Sequence, residues 1–187
     1  MRQIHIIAGP NGAGKSSFAR VSLLPQFLRS NEFVNADEIA KIIASEYPLT
    51  VSAKAGRLML KRMKYLVEEG LDFAFETTLS ARSYLKFIEQ AKFSQYKINL
   101  IFLALDNIEL AKNRVATRVS KGGHNVEDII VSRRFKRGII NLKDYLKIVD
   151  TALIYEASGL ELIEIAKKID NKILITNSKL WEQINAE

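Results

Sequence analysis

Residues Gly9 to Ser16 read Gly-Pro-Asn-Gly-Ala-Gly-Lys-Ser: three glycines, one ammonium group and one hydroxyl in the spacing GxxxxGK[ST]. These residue types together serve one chemistry, the gripping of a polyphosphate. Gly9, Gly12 and Gly14 let backbone N–H groups turn inward with no Cβ in the way. With Pro10, Asn11 and Ala13 they form a nest at the positive end of a following helix. Lys15 would reach the β- and γ-phosphates as a point charge, the Ser16 hydroxyl would ligate Mg²⁺, and Ser17 continues the cradle. The context agrees with the pattern, since a β-branched strand at 4–8 leads in and a helix is expected over 15–24, before Pro25. The expectation is a site for a nucleoside triphosphate.

In an open parallel sheet the ligand lies beyond the carboxyl ends of the strands. Polar residues that follow a strand therefore gather near the loop, whatever their distance in sequence. Asp37 and Glu38 follow a second predicted strand, Glu76, Thr77 and Thr78 end a third, and Asp106 ends a fourth. Asp37 could accept a proton from a substrate hydroxyl or hold a water on the metal; it could equally cap the next helix. Glu76 follows Phe73-Ala74-Phe75, poor surroundings for an idle surface carboxylate. Asp106 reads as a helix cap.

Arginines cluster later in the chain. Arg114 and Arg118 are spaced i,i+4 near the end of one predicted helix; Arg133, Arg134 and Arg137 lie early on the next, across the polar break Lys121 to Asn125. Two such basic faces, joined through Gly122 and Gly123, could close over a triphosphate and stabilise charge on a transferring phosphoryl group. A solvated basic helix face is the plainer alternative. Arg57, on a long helix before the third strand, is a weaker candidate for the acceptor side, and His124 has no assigned role.

The elements that must hold these residues alternate from end to end. Strands are expected at 4–8, 32–35, 73–77, 98–105, 152–155, 162–166 and 172–176, and helices at 36–47, 49–70, 80–93, 108–120 and 126–146. A closing helix carries Trp181, which reads as core together with most phenylalanines. Asp106 or Asn107 is expected to cap the helix ending at Ser120. This alternation predicts an α/β fold of three layers, a mostly parallel central sheet flanked by helices. At 187 residues and 48% hydrophobic content, a single domain over 1–187 is expected, with a lid-like segment at about 114–137.

Composition narrows the function. There is no cysteine, so disulfides, zinc thiolates and cysteine nucleophiles are excluded, and two histidines are too few for a histidine metal cluster. A core strand beginning almost at Met1 argues against a signal peptide, and no apolar run nears the ~20 residues of a membrane span. A cytoplasmic protein is expected. The net charge of +7 fits arginines and lysines around polyanionic small substrates better than a nucleic-acid surface. Asn171-Lys172 is followed by Ile173-Leu174 and so lacks the aspartate of a guanine-reading Asn-Lys-x-Asp stretch, which argues against a regulatory GTPase.

Taken together, AGPNGAGKS, VNADEIA, FETTLS, RVATRVSKGGHNV and RRFKRGIINL, in that order, resemble the zeta-toxin-like P-loop kinases over residues 1–142, and more loosely to the end. The resemblance implies a P-loop kinase fold, ATP as phosphoryl donor with Mg²⁺, and a hydroxyl of a small molecule as acceptor. The best-known members phosphorylate UDP-N-acetylglucosamine and are restrained by an antitoxin. Carried over to this sequence, the catalytic aspartate is Asp37, the loop lysine Lys15 and the metal hydroxyl Ser16. Arg118 and Arg134 fall around the transferring phosphate, Arg114 near the base, and Glu76, Thr77 and Thr78 near the acceptor. Arg57 and Arg137 are further substrate-side candidates. This chain is shorter than the toxins whose sugar-nucleotide substrate is known. Two rivals remain at this stage, an ATP-binding or ATP-hydrolysing regulatory module and a polynucleotide kinase-like protein.

Overall fold

The run Ile4 to Ala8 is buried at every position, as a strand must be when both faces of its sheet are covered. It belongs to β1 (Arg2–Ala8), which lies between β3 (Phe73–Thr77) and β4 (Tyr96–Ala104) and is parallel to both. Beyond β3 stands the short β2 (Phe33–Val34), and beyond β4 stands β5 (Thr151–Glu156), again parallel. β6 (Ile163–Ile169) and β7 (Lys172–Ile175) complete the sheet as antiparallel neighbours. The computed structural model describes residues 1–23, 32–44, 51–123, 125–169 and 171–185.

The strand order is β2-β3-β1-β4-β5-β6-β7. The chain leaves β1 for the β2 edge, returns to β3, then crosses β1 to reach β4. Winding therefore reverses at β1, and a crevice opens beyond its carboxyl end. The mostly parallel sheet expected from the sequence is present. The antiparallel pairing of β6 and β7 was not predictable from their apolar patterns; it follows from the tight connection at Asn171, whose φ is 63°.

The helices are α1 (Lys15–Phe18), α2 (Ala36–Ile43), α3 (Val51–Glu68), α4 (Ser83–Phe93), α5 (Ile108–Ser120), α6 (Asp128–Ile148) and α7 (Ser178–Asn185). The helix expected over 15–24 keeps its α register only to Phe18 and continues as a π turn, Ala19–Leu23. The change comes at Ala19, whose N–H is shared between the carbonyls of Lys15 and Ser16. α5 is capped by Asn107, whose Oδ1 accepts the Leu110 N–H at 2.9 Å. Asp106 is not the cap; its own N–H donates to Ser158 Oγ at 2.9 Å. α4 starts at Ser83, three residues later than expected, because Thr78 to Arg82 form a loop in which Leu79 has φ 54°. Predicted helical positions 24, 45–47 and 49–50, and His124, lie outside the described residues.

One side of the core is aromatic. Phe73 sits 6.4 Å, centroid to centroid, from both Phe87 and Tyr96, and Phe75 packs on Tyr84 at 5.6 Å. Trp181 is half-buried against the core, whereas Phe93 is 87% exposed and contributes nothing to it. The chain end of β1 meets the β4 backbone at Gly9, where φ is 140° and a Cβ would fall 2.2 Å from the Leu103 carbonyl oxygen. Gly9→Ala combines backbone strain with a backbone clash. It is expected to lower the unfolding free energy by about 2 to 4 kcal/mol, read from the shift in urea midpoint at constant slope.

Candidate active site

The loop after β1 folds Lys15 back over itself. Its Nζ donates to the Pro10 carbonyl at 2.8 Å and stands 3.6 Å from Glu76 Oε1, with Lys15 only 5% exposed. The other carboxylate oxygen, Oε2, accepts the Ser16 hydroxyl at 2.6 Å and the Asn35 amide at 3.0 Å. Glu76 can do this because β3 is the neighbour of β1, with Glu76 in register with Ile7. Burial holds the Lys15 ammonium below its ordinary pKa of 10.5, and the carboxylates of Glu76 and Asp37 work against that displacement.

Asn35 settles the role left open for Asp37 in the local structure. Its side chain is the N-cap of α2, accepting the Asp37 N–H at 2.8 Å. Asp37 therefore sits in the first turn with its carboxylate uncommitted to capping. Glu38, next to it, pairs with Arg20 at the surface instead.

Three cavities meet at Asp37. The first, about 240 Å³, is lined by Asn11, Lys15, Ser16, Ser17, Glu76, Arg114 and Arg118. The second, about 220 Å³, is lined by Asn11, Lys15, Asn35, Glu76, Thr77, Thr78, Ser80, Tyr84 and Arg134. The third, about 250 Å³, lies between α2, α3 and the start of α6, with Ala40, Ala55, Val126 and Ile130 as walls and Arg134 at its edge. Asp37 lines all three. Arg118 and Arg134 thus line different cavities, each of which includes Asp37. Burial lowers the pKa of the Arg134 guanidinium from its ordinary value, and the Asp37 carboxylate opposes the shift.

The remaining predicted residues separate. Arg114 borders the loop-side cavity, but its guanidinium is spent on backbone carbonyls, Ala157 at 2.8 Å, Ser158 at 2.5 Å and Gly12 at 3.4 Å. It ties the loop after β5 to the phosphate loop. The Thr77 hydroxyl accepts the Leu79 N–H at 3.1 Å, and Thr78 shares a hydrogen bond with Ser80 at 2.8 Å. Arg57, Arg133 and Arg137 are exposed on α3 and α6. The stretch 114–137 consists of the end of α5, a glycine-made cap and the start of α6. The Gly122 and Gly123 N–H groups bond back to the Val119 and Arg118 carbonyls at 2.9 Å, with Gly122 at φ 83°.

Sequence reasoning named Asn11 with the rest of the loop but assigned no role to Asn35, Ser80 or Tyr84. Asn35 carried a usable signal, an Asn between a strand and a helix. Asn11 is 5% exposed, and its buried Oδ1 has no hydrogen-bond partner among the described residues, at the boundary of two cavities. A phosphate nest, a buried ammonium, a metal-competent hydroxyl and an orphaned buried amide oxygen fit a magnesium triphosphate. Among the described residues no group of three or more His, Cys, Asp or Glu could hold a metal. A magnesium ion would take its ligands from Ser16, water and the nucleotide.

A family model described as Zeta toxin matches residues 2–178. A curated protein of Haemophilus influenzae, described as uncharacterized, is 26% identical over 127 residues, covering 68% of this chain and 88% of its own length. A chain of the AvrRxo1-ORF1:ORF2 complex with ATP aligns with a TM-score of 0.75 at 19% identity; the match covers 98% of this chain, which spans 63% of that chain's length. A chain from the PezAT toxin–antitoxin system of Streptococcus pneumoniae gives a TM-score of 0.67 at 19% identity over 100% of this chain and 80% of its own. At these identities the structural likeness shows a shared fold.

The state of Lys15 generates a prediction with a definite sign. Its folded pKa lies below 10.5, so between the two values the folded protein binds fewer protons than the unfolded chain, and stability rises with pH across that window. A polyanion in the nest favours the ammonium form and pushes the pKa back up. Binding of Mg–ATP is expected to take up protons as pH approaches 10. Calorimetry in buffers of different ionisation enthalpy measures this, and proton release on binding would contradict it.

Proposed function

This chain belongs to the Zeta toxin family, and we propose that it is a Mg²⁺–ATP-dependent kinase that transfers the γ-phosphoryl group to a hydroxyl of a small polar acceptor. The observation that carries this reading is the position of Asp37 at the meeting point of a phosphate-nest cavity and a separate hydroxyl-lined one. A carboxylate at that boundary can face a donor on one side and an acceptor on the other.

In this reading ATP lies along the loop, its β- and γ-phosphates against the backbone N–H groups and Lys15. Mg²⁺ held at Ser16 would neutralise phosphate charge. The acceptor hydroxyl lies in the second cavity and gives its proton to Asp37 as its oxygen bonds to the γ-phosphorus. The bond from the γ-phosphorus to the β–γ bridging oxygen breaks, and ADP leaves with that electron pair. Arg118 from one side and Arg134 from the other stabilise charge on the group in transit. Such transfer is chiefly positioning plus electrostatics.

The second cavity suggests the acceptor's character. Thr77, Thr78 and Ser80 are hydroxyl residues of its lining and Asn11 adds an amide, a lining suited to a molecule rich in hydroxyls. UDP-N-acetylglucosamine is the first acceptor to try. The PezAT neighbour comes from a toxin–antitoxin system, and an antitoxin partner in the cytoplasm is part of this proposal. No helix among the described residues is long and apolar enough to cross a membrane.

Asp37→Asn preserves shape and removes the base. It is expected to keep Mg–ATP affinity within about threefold while transfer falls by about 10²- to 10⁴-fold. Arg134→Ala is expected to lower turnover by about 10²- to 10³-fold, as for loss of one donor to a developing anion. Both are read with γ-labelled ATP and a pool of sugar nucleotides, nucleosides and small alcohols. Undiminished transfer by Asp37→Asn defeats the assignment, and turnover to water alone favours a regulatory ATPase.

A further inference from the structure

The loop Thr78 to Arg82 borders the hydroxyl-lined cavity and is held almost wholly by one helix. Along α6, a Cβ at Gly138 would come within 2.4 Å of the Thr78 carbonyl oxygen, so the helix backbone presses directly on the loop. Asn141, buried, donates from Nδ2 to the Leu79 carbonyl at 2.7 Å. Tyr145, with no exposed surface, donates from its hydroxyl to the Ala81 carbonyl at 2.8 Å. Three loop carbonyls are thus turned toward α6. The loop's hydroxyl groups, from Thr78 and Ser80, line the cavity.

Two features show that the helix imposes this conformation. Leu79 adopts φ 54°, a left-handed geometry that costs a non-glycine residue energy. Local support comes from the Thr77 hydroxyl on its N–H and the Thr78–Ser80 hydroxyl pair that spans it, and neither satisfies its carbonyl. The Leu79 carbonyl then depends on Asn141, a polar side chain buried amid apolar neighbours, whose amide would otherwise lack a reason to be there. Helical geometry also puts Arg134, Gly138, Asn141 and Tyr145 within an arc of roughly 60°. The guanidinium beside Asp37 and the three contacts to the loop lie on one face of one rigid element.

We propose that the Gly138–Asn141–Tyr145 face of α6 is the template that sets the acceptor-binding loop, with Asn141 a positioning residue that fixes the Thr78 and Ser80 hydroxyls relative to Arg134. The inference rests on the reading of the second cavity as the acceptor site. It adds that acceptor recognition and phosphate clamping share one helix face, whereas the phosphate nest on β1 and α1 is independent of it.

The test compares wild type with Asn141→Leu, which keeps volume and removes the donor, and Tyr145→Phe, which removes only a hydroxyl. Hydrogen exchange by mass spectrometry follows the peptide spanning 78–82, calorimetry follows Mg–ATP binding, and initial rates with UDP-N-acetylglucosamine as probe acceptor give both Michaelis constants. Expected for Asn141→Leu are about tenfold faster exchange in the loop, Mg–ATP affinity within twofold, and an acceptor KM raised about tenfold with the ATP KM unchanged. Tyr145→Phe shifts the same quantities in the same direction by less. Unchanged loop exchange in both variants overturns the proposal. So does a parallel loss of ATP affinity, which marks general destabilisation. If wild type transfers nothing to the probe, that acceptor fails, while loop exchange and ATP affinity still decide the role of Asn141.

Discussion

A buried ammonium group needs partners, since an uncompensated charge in the protein interior costs several kcal/mol. Lys15 finds them in the Pro10 carbonyl and in Glu76, and much of the site is arranged around that requirement. Glu76 reaches the loop only because β3 lies beside β1. One carboxylate oxygen faces the ammonium, and the other collects the Ser16 hydroxyl and the Asn35 amide. Asn35 in turn caps α2 and sets the backbone of Asp37. A continuous line of polar contacts therefore runs from the phosphate loop, across two strands, to the backbone of Asp37. Sheet order is the precondition for every link in it.

The same line makes the metal position chemically consistent. A serine hydroxyl has one proton and two lone pairs. With its proton given to Glu76, Ser16 still offers a lone pair to a magnesium ion, and the hydrogen bond to a carboxylate makes that oxygen a better donor. Glu76, which the sequence suggested for the acceptor side, borders both cavities, accepting the Ser16 hydroxyl and counterbalancing Lys15. Arg114 likewise acts through the backbone, its guanidinium donating to three carbonyls that tie the loop after β5 to the phosphate loop.

What could be read from the sequence was whatever depends on local spacing. The phosphate loop is eight consecutive residues, and its glycines, lysine and serine announce their geometry without knowledge of the fold. The parallel alternation was equally legible, and with it the rule that residues after strands converge, which brought out Asp37 and Glu76. Properties set by neighbours distant in sequence were not legible. The identity of the cap at Asn107, against Asp106, turned on which side chain reached the Leu110 N–H while Ser158 claimed the other backbone group. Arg114 lines the phosphate-loop cavity, but its bonds to the loop after β5 could not be read from the sequence. Tyr84 carries no motif, and it and Ser80, the unassigned last residue of FETTLS, enter the site through the path of the loop after β3.

The placement of the arginines shows how fold and chemistry constrain each other. Arg118 and Arg134 come from successive helices to two cavities that both include Asp37, and neither can be moved without moving other things. Arg118 precedes a glycine-made cap whose Gly123 N–H bonds back to its own carbonyl. Arg134 shares a helix face with the residues that hold the loop beyond β3. Both cavities include a carboxylate whose backbone is fixed by Asn35. A transferring phosphoryl group needs positive charge around it and a base aligned with the incoming oxygen, and those demands are met only if three separate elements hold register to a fraction of an ångström. A buried ion pair at the loop, a cap at α2 and close backbone contact at α6 are stiff interactions, suited to that tolerance. The exposed arginines, Arg133 and Arg137, have no comparable support, which is the physical ground for setting them apart from Arg134 despite their adjacency in sequence.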